Sequence, residues 1–321
     1  MTTAEPSPSL RPGDPEKTAA ALTKGTTGPA APGTPGGNGG RAGGDGGGRT
    51  LNVFSHAFLV LWAVMALGPL LWAVMNSFKS SGAILEDPWS LPTRLHWENW
   101  SFAWNEANIG QYTINSAIVV GGSVIGTMLL GSMVAYVLAR YDFPGNRVVY
   151  FLFVGGMAFP IIVALVPLFF VMENFALLDT YHGLILVYIA YSLPFTVFFM
   201  SAFFRTLPTS ITEAAEIDGA SQSRIFFQVM LPMAKPGLIS VGIFNFLGQW
   251  NQYLIPQVVH VGDADRYVLT QGLANLAAQT GYRGNWGGLF AGLTLAVLPI
   301  LVVYVVFQRQ VQAGLTAGAL K

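Results

Sequence analysis

The segment LPTSITEAAEIDGASQSRIFFQVMLPMAKP, residues 207–236, is a polar, helix-prone stretch that lies between two long apolar runs. Neither the run before it, Leu184–Phe204, nor the run after it, Leu238–Val259, contains an Asp, Glu, Lys or Arg residue. A run of about 20 apolar residues matches the hydrocarbon thickness of a lipid bilayer. The segment is therefore predicted to be a water-exposed connection between two membrane-spanning helices.

Long uncharged runs recur along the chain. Only 10% of its 321 residues are charged and 52% are hydrophobic, whereas ordinary soluble domains carry about 25% charged residues. The uncharged windows long enough to span a bilayer are Phe54–Met75, Asn115–Leu138, Val148–Val171, Leu184–Phe204, Leu238–Val259 and Trp286–Phe307. Six such windows favour membrane spans over the buried helices of a soluble protein. We predict an all-α integral membrane domain over residues 51–321 with six transmembrane helices.

Residues 1–50 have a different composition, rich in Gly and Pro. Such a segment buries too little apolar surface to offset the entropy lost on ordering, so a disordered cytoplasmic tail is predicted. Its end, GGDGGGRT, is a poor match to a nucleotide-binding phosphate loop, because Arg49 stands where that loop has Lys and no strand precedes it.

The distribution of Lys and Arg predicts the orientation in the membrane, since cytoplasmic loops carry an excess of these residues. If the N-terminal tail is inside, the inside cations are Arg11, Lys17, Lys24, Arg41, Arg49, Arg140, Arg147, Arg205, Arg224, Lys235, Arg309 and Lys321. The outside cations are then Lys79, Arg94, Arg266 and Arg283. Both termini and the segment 207–236 are therefore predicted to be cytoplasmic, and the larger outside loops are residues 79–113 and 260–285.

Four tryptophans, Trp89, Trp97, Trp100 and Trp104, lie in the first outside loop. They are typical of an aromatic belt at the membrane interface, and equally of a docking surface for an external partner. The sequence leaves both interpretations open.

Local turn and cap signals predict that residues 207–236 form a helix–glycine–helix hairpin. Ser210 begins a capping-box pattern, SITE, and Gly219 has the left-handed freedom that ends a helix. Ser221 then caps a second helix, which Pro232 and Pro236 are expected to end.

The charge of this hairpin favours docking to a protein over lying on the membrane. Membrane-surface helices usually carry Lys and Arg on their polar face, whereas the first helix here carries Glu213, Glu216 and Asp218. An anionic leaflet would repel these carboxylates.

The sequence EAAEIDGASQSRIFFQVMLPMAKP resembles the cytoplasmic EAA loop of ABC importer permeases. The shared pattern is EAA, then Asp-Gly-Ala, then Leu-Pro and a further Pro. Other matching stretches are NSAIVV, LLDTYHGLIL, LPFTVFFMSAFFRTLP, WNQYLIPQ and the C-terminal GLTAGALK. Together they are similar to the carbohydrate-uptake group, the maltose-type inner permease subunit, over roughly residues 50–321.

The resemblance implies a bacterial cell-membrane subunit that hydrolyses nothing itself and binds no cofactor. A cytoplasmic ATPase dimer, carrying ATP and Mg, would receive the hairpin as a coupling helix. A second permease subunit and an extracytoplasmic solute-binding protein that delivers sugar complete the assembly. The residues assigned to the ATPase contact are Glu213, Ala214, Ala215, Asp218, Gly219, Ala220, Ser221 and Phe226.

The fifth predicted span is the most polar. Its candidate translocation-path residues are Asn245, Gln249, Trp250, Asn251 and Tyr253. Amides and aromatic faces suit sugars, but interhelical hydrogen bonding is the competing interpretation, and the family resemblance places the main sugar site largely in the other permease subunit. Pro160, Pro167 and Pro194 are expected to kink the third and fourth spans.

Three other functions share some of these sequence features. A permease for amino acids or peptides would share the EAA loop. A proton-coupled carrier is disfavoured because no Asp, Glu, Lys or Arg lies within the six spans. A simple membrane anchor for an ATPase would not need a polar fifth span. A net charge of zero and the absence of cysteine predict neither nucleic-acid binding nor a thiolate metal site, and no catalytic residues are predicted.

Overall fold

The computed structural model describes residues 45–319, with side chains at 52–281 and 284–310. Residues 1–44 of the predicted disordered tail lie outside the described residues, as do Leu320 and Lys321 at the end of the GLTAGALK sequence. The chain divides into two units, residues 1–59 and 60–321. The described part of the first unit, residues 45–59, is helical, and the packing contacts, hydrogen bonds and cavity discussed below lie in the second.

The described residues are helical or irregular, with no strand among them. The α-helices are α1 (Asp45–Ser77), α2 (Ser81–Glu86), α3 (Glu98–Ser101), α4 (Ile109–Arg140), α5 (Asn146–Met157), α6 (Ile161–Asn174), α7 (Tyr181–Thr206), α8 (Thr209–Ile217), α9 (Gln222–Arg224), α10 (Leu231–Met233), α11 (Lys235–Trp250), α12 (Leu254–Val259), α13 (Leu269–Arg283) and α14 (Trp286–Ala319). Two π-helical turns, Phe102–Glu106 and Ile225–Met230, and one 3₁₀ turn, Ala264–Arg266, complete the helical elements.

Four described helices are long and apolar enough to cross a membrane as single pieces. They are Asn52–Ser77, Ile109–Arg140, Tyr181–Thr206 and Trp286–Gln310. They coincide with the predicted first, second, fourth and sixth spans. Two further helix pairs are bent, so the described residues provide four candidate spans, or six if each pair counts as one.

The predicted third span, Val148–Val171, is not a continuous helix. α5 and α6 meet at a bend of 102°, and Pro160 immediately precedes α6. Proline has no N–H to donate and disfavours the helical conformation of the residue before it, which explains the break at this point. The other two prolines of this prediction, Pro167 and Pro194, lie inside continuous α6 and α7.

The predicted fifth span, residues 238–259, is also divided. α11 ends at Trp250, and α12 begins only at Leu254. Between them, the side-chain oxygen of Gln252 accepts the backbone N–H groups of Tyr253 at 3.0 Å and Leu254 at 3.2 Å. A side-chain acceptor that bonds to these backbone N–H groups replaces the backbone hydrogen bonds of an α-helix. The helix therefore ends before the uncharged window does.

α4 and α7 approach each other closely along glycines of α4. A Cβ atom placed on Gly126 would lie 2.5 Å from Cδ1 of Ile189, and one on Gly131 would lie 2.5 Å from Cγ2 of Thr196. Small residues at such positions allow helices in membranes to pack by close backbone approach. The α4–α7 pair is thereby the central packing contact of the second unit.

Asn115 links the N-terminal part of α4 to two distant segments. Its amide nitrogen donates to the backbone oxygens of Asp265 at 2.8 Å and Tyr267 at 2.9 Å. Its side-chain oxygen accepts from the Tyr181 hydroxyl and from Gln111 Nε2, both at 2.9 Å. Because Asn115 is fully buried, its removal leaves these groups without their partner.

We expect Asn115→Leu to lower the free energy of unfolding by about 3 kcal/mol, because four hydrogen bonds to a buried side chain are lost and each contributes about 0.5–1.5 kcal/mol. Denaturant unfolding of the detergent-purified protein would measure the change. Asn105→Leu is the matched control, since Asn105 is exposed and bonds only to Ser101. An equal loss in both variants would contradict the role of Asn115 in anchoring Asp265 and Tyr267.

Candidate functional site

The segment that resembles the EAA loop forms two helices joined at a glycine. α8 ends at Ile217, and Gly219 has φ +76°, the left-handed conformation that favours glycine. Ser221 Oγ then accepts the N–H of Arg224 at 3.4 Å and caps the second helix. The predicted glycine turn and the predicted Ser221 cap are both confirmed.

The predicted start of this hairpin is wrong. α8 begins at Thr209, directly after Pro208, and no side-chain cap hydrogen bond is formed. Ser210 lies within the first turn, where a helical backbone conformation prevents it from acting as the cap. Proline, with its fixed φ, is well suited to a helix start.

The predicted end of the second helix, assigned to Pro232 and Pro236, is confirmed, since the helical run ends at Met233, between the two prolines. The helical run continues from Gln222 to Met233 and bends by 77° into α11, which begins at Lys235. The wider π-helical turn Ile225–Met230 precedes the proline, and the Leu231 N–H bonds to the Phe226 oxygen five residues back. This wider turn accommodates a proline that an α-helical ladder would exclude.

The second helix of the hairpin is packed onto the ends of α4 and α7. Ile225, Phe226 and Met230 are buried in a cluster that includes Tyr136 of α4 and Phe204 of α7. The Phe226 and Tyr136 rings are 5.2 Å apart. A displacement of the hairpin therefore cannot occur without moving the ends of these two long helices, because packed interiors have low compressibility.

The exposed side of the hairpin contains most of the predicted docking residues. Glu213, Ala214, Asp218, Gly219 and Ser221 are exposed, while Ala215 and Ala220 are half-buried against the cluster just described. Phe226, by contrast, is only 5% exposed. The structure therefore places Phe226 in the interior, where it anchors the hairpin and presents little surface to a partner.

The tip of the hairpin presents one apolar side chain that the sequence analysis did not single out. Ile217 is 86% exposed and lies between the acidic residues Glu216 and Asp218. Two hydrogen bonds of Gln222 stabilise the tip. Gln222 Nε2 donates to Glu216 Oε1 at 3.0 Å, and the Tyr141 hydroxyl donates to Gln222 Oε1. The sequence signal that could have identified Ile217 was a single apolar residue at a turn between two carboxylates.

Two of the candidate translocation-path residues form hydrogen bonds between helices. Asn245 Nδ2 donates to Thr196 Oγ1 at 2.8 Å. Gln249 Nε2 donates to Ser192 Oγ at 2.9 Å, and Gln249 Oε1 accepts from Ser123 Oγ at 2.6 Å. These bonds tie α11 to α7 and α4, which supports the interhelical interpretation for both amides.

The other three candidates are separated from these amides. Trp250 is buried and stacks on Phe246 with 5.4 Å between ring centroids. Asn251 is exposed and bonds to the Leu247 oxygen of its own helix, and Tyr253 is 42% exposed beyond the helix end. The five residues therefore do not form one continuous surface.

A cavity of about 320 Å³ lies beside the two interhelical amides. The α5–α6 bend, α7 and α11 form its walls. Asn245 and Gln249 line it together with Gln252, Tyr188 and Tyr191. Sequence reasoning did not single out the two α7 tyrosines, because nothing in a local window distinguishes them from other aromatic residues of a membrane helix.

Comparison with known proteins shows what this arrangement resembles. A family model described as binding-protein-dependent transport system inner membrane component matches residues 108–316. The diacetylchitobiose uptake system permease protein NgcG of Streptomyces coelicolor is 51% identical over 273 residues, which cover 85% of this chain and 90% of that protein. The trehalose transport system permease protein SugB of Mycobacterium tuberculosis is 32% identical, covering 81% of this chain and 97% of that protein.

A solved structure has the same fold. It is the crystal structure of a bacterial ABC transporter involved in the import of the acidic polysaccharide alginate, and it matches with a TM-score of 0.71 at 22% identity, covering 81% of this chain and 96% of that one. The resemblance to sugar-uptake ABC permeases that was inferred from the sequence is confirmed. The chain belongs to the family of binding-protein-dependent transport system inner membrane components and is a multi-pass membrane permease of ABC transporter type.

Proposed function

We propose that this chain is the membrane-spanning permease subunit of an ABC importer for a sugar or oligosaccharide. The observation that carries the proposal is the 51% identity to a diacetylchitobiose permease over 85% of the chain. The neutral cavity between α7 and α11 supports it, because no charged side chain is found in its lining. An extracytoplasmic solute-binding protein would deliver the sugar, and a second permease subunit would complete the pathway.

Energy would come from a cytoplasmic ATPase dimer that binds ATP and Mg. In this proposal the exposed side of the hairpin, Glu213–Ser221, docks on the ATPase. Closure of the ATPase dimer moves the hairpin, and the buried cluster around Phe226 transmits the displacement to α4 and α7. The hydrogen bonds of Asn245 and Gln249 then transmit the displacement to α11.

The proposed orientation places both termini and the hairpin in the cytoplasm of a bacterial cell, with lipid around the spans. The excess of Lys and Arg in the predicted inside segments supports it. The carboxylates near the hairpin tip support protein docking over membrane contact.

The test is uptake by the complete transporter, reconstituted in proteoliposomes with its second permease, ATPase and binding protein. We expect radiolabelled diacetylchitobiose or another saccharide to accumulate only with internal ATP and with this chain present. Accumulation that a proton ionophore abolishes while ATP remains would favour a proton-coupled carrier. Uptake of amino acids or peptides in place of every saccharide would favour the non-sugar permease.

A further inference from the structure

The cavity between the α5–α6 bend, α7 and α11 has the size of a small ligand site. Its volume of about 320 Å³ lies at the low end of the roughly 300–1,000 Å³ that is usual for ligand pockets. Such a space suits one ring-sized unit rather than a whole oligosaccharide.

The lining selects for a neutral, polar solute. It contains no Asp, Glu, Lys, Arg or His, and its polar groups are the amides of Asn245, Gln249 and Gln252, Ser192, and the tyrosines Tyr188 and Tyr191 of α7. Phe159 and Phe244 also line it, and both are exposed, by 59% and 42%. An ionic solute would lose its hydration shell here without gaining a charged partner, whereas a sugar ring offers hydroxyls for the polar groups and an apolar face for the rings.

Tyr188 carries the strongest indication of a ligand. Its side chain is 1% exposed and lines the cavity, yet its hydroxyl has no hydrogen-bond partner among the described side chains and backbone. Neighbouring Ser192, Asn245 and Gln249 are all paired with one another or with Thr196. A hydroxyl can both donate and accept a hydrogen bond, so the Tyr188 hydroxyl is available to a solute that enters the cavity.

The broken helix beside the cavity is an independent indication. Gly156 and Phe159 flank the 102° bend and line the cavity. Non-helical backbone within a membrane-spanning segment is tolerated where it is buried in protein or faces a water-filled cavity. Discontinuous helices at such places form solute sites in other membrane transporters.

We propose that this cavity is a saccharide subsite within this subunit. The Tyr188 hydroxyl hydrogen-bonds to one hydroxyl of the sugar, and the apolar face of the sugar ring packs on the aromatic lining. The proposal rests on the function proposed above and adds a sugar contact in this chain to the one that the family resemblance places largely in the other permease subunit.

The first test removes only the hydroxyl. We expect Tyr188→Phe to reduce import of the preferred disaccharide at limiting concentration by about 2- to 10-fold, the worth of one neutral hydrogen bond. Import should be compared across a series of monodeoxy analogues, in proteoliposomes containing the full transporter. For the analogue that lacks the partner hydroxyl, Tyr188→Phe and the wild type should import equally. Tyr304→Phe is the control, because Tyr304 is exposed on α14 and lies outside the cavity.

The second test fills the cavity. A Cβ atom on Gly248 meets no atom within 4 Å, and Gly248 lines the cavity, so Gly248→Leu places a side chain there without a clash at its Cβ. We expect import to fall about 10-fold or more while membrane abundance and ATP hydrolysis stimulated by the binding protein persist. Gly121→Leu is the matched control, since its Cβ also meets no atom within 4 Å and it lies outside the cavity.

The outcomes separate the two proposals. A wild-type transporter that imports no saccharide would refute the sugar function and the subsite with it. If the wild type imports sugar, the subsite alone is refuted when Gly248→Leu imports normally, or when Gly121→Leu loses as much. It is also refuted when the import of every deoxy analogue, relative to that of the parent sugar, is the same for Tyr188→Phe and the wild type. Should Tyr188→Phe fail to accumulate, the Gly248→Leu comparison decides.

Discussion

Gly219→Asp is expected to accumulate in the membrane at near wild-type levels and to lose import by about tenfold or more. The tip of the hairpin has open space, since a Cβ on Gly219 meets no atom within 4 Å. The substitution therefore costs the chain only the strain of a side chain at φ +76°, about 1–2 kcal/mol. The loss arises because a second carboxylate beside Asp218 alters the surface proposed to enter the ATPase.

The measurement is membrane abundance beside radiolabelled sugar uptake. Gly145→Asp is a matched control, because Gly145 has φ +93°, is exposed, also has no atom within 4 Å of its Cβ and lies in the other short predicted cytoplasmic loop. Full uptake by Gly219→Asp, or an equal loss in Gly145→Asp, would contradict the proposed role of the hairpin.

Lys79→Glu should fail to accumulate. Lys79 is only 2% exposed, and its ammonium donates to the Asp87 oxygen at 2.6 Å, the Ser90 oxygen at 2.9 Å and Ser90 Oγ at 3.0 Å. A carboxylate in this place would face two carbonyl oxygens, and the Ser90 hydroxyl is the one group among the present partners of Lys79 that could donate to it. We expect a loss of about 3 kcal/mol or more in the free energy of unfolding, since an uncompensated buried charge is among the costliest changes.

Abundance of the full-length protein in membranes at matched expression, followed by thermal unfolding in detergent, would measure this effect. Arg94→Glu reverses the same charge in the same loop at an exposed position and should accumulate normally. If Lys79→Glu and Arg94→Glu accumulated alike, the ammonium of Lys79 would not be holding residues 87–90 in place.

Features that depend on neighbouring residues were predictable. The uncharged windows correctly predicted α1, α4, α7 and α14, because a bilayer requires a long apolar run whatever surrounds it. The glycine turn at Gly219 and the cap at Ser221 were also predictable, because turn and cap preferences depend on a few adjacent residues. The error at Ser210 is also local, since α8 begins directly after Pro208.

The sequence by itself determined a helical membrane protein with a polar hairpin between two spans, because apolar run length and turn chemistry act over a few residues, and its resemblance to a known family identified it as a permease. Only the tertiary structure decided what each polar side chain does. Gln249 meets Ser123 across 126 residues, and Lys79 and Tyr188 are both buried, the first fully paired and the second unpaired. Such partnerships depend on which helices pack together, and no window of neighbouring residues contains that information.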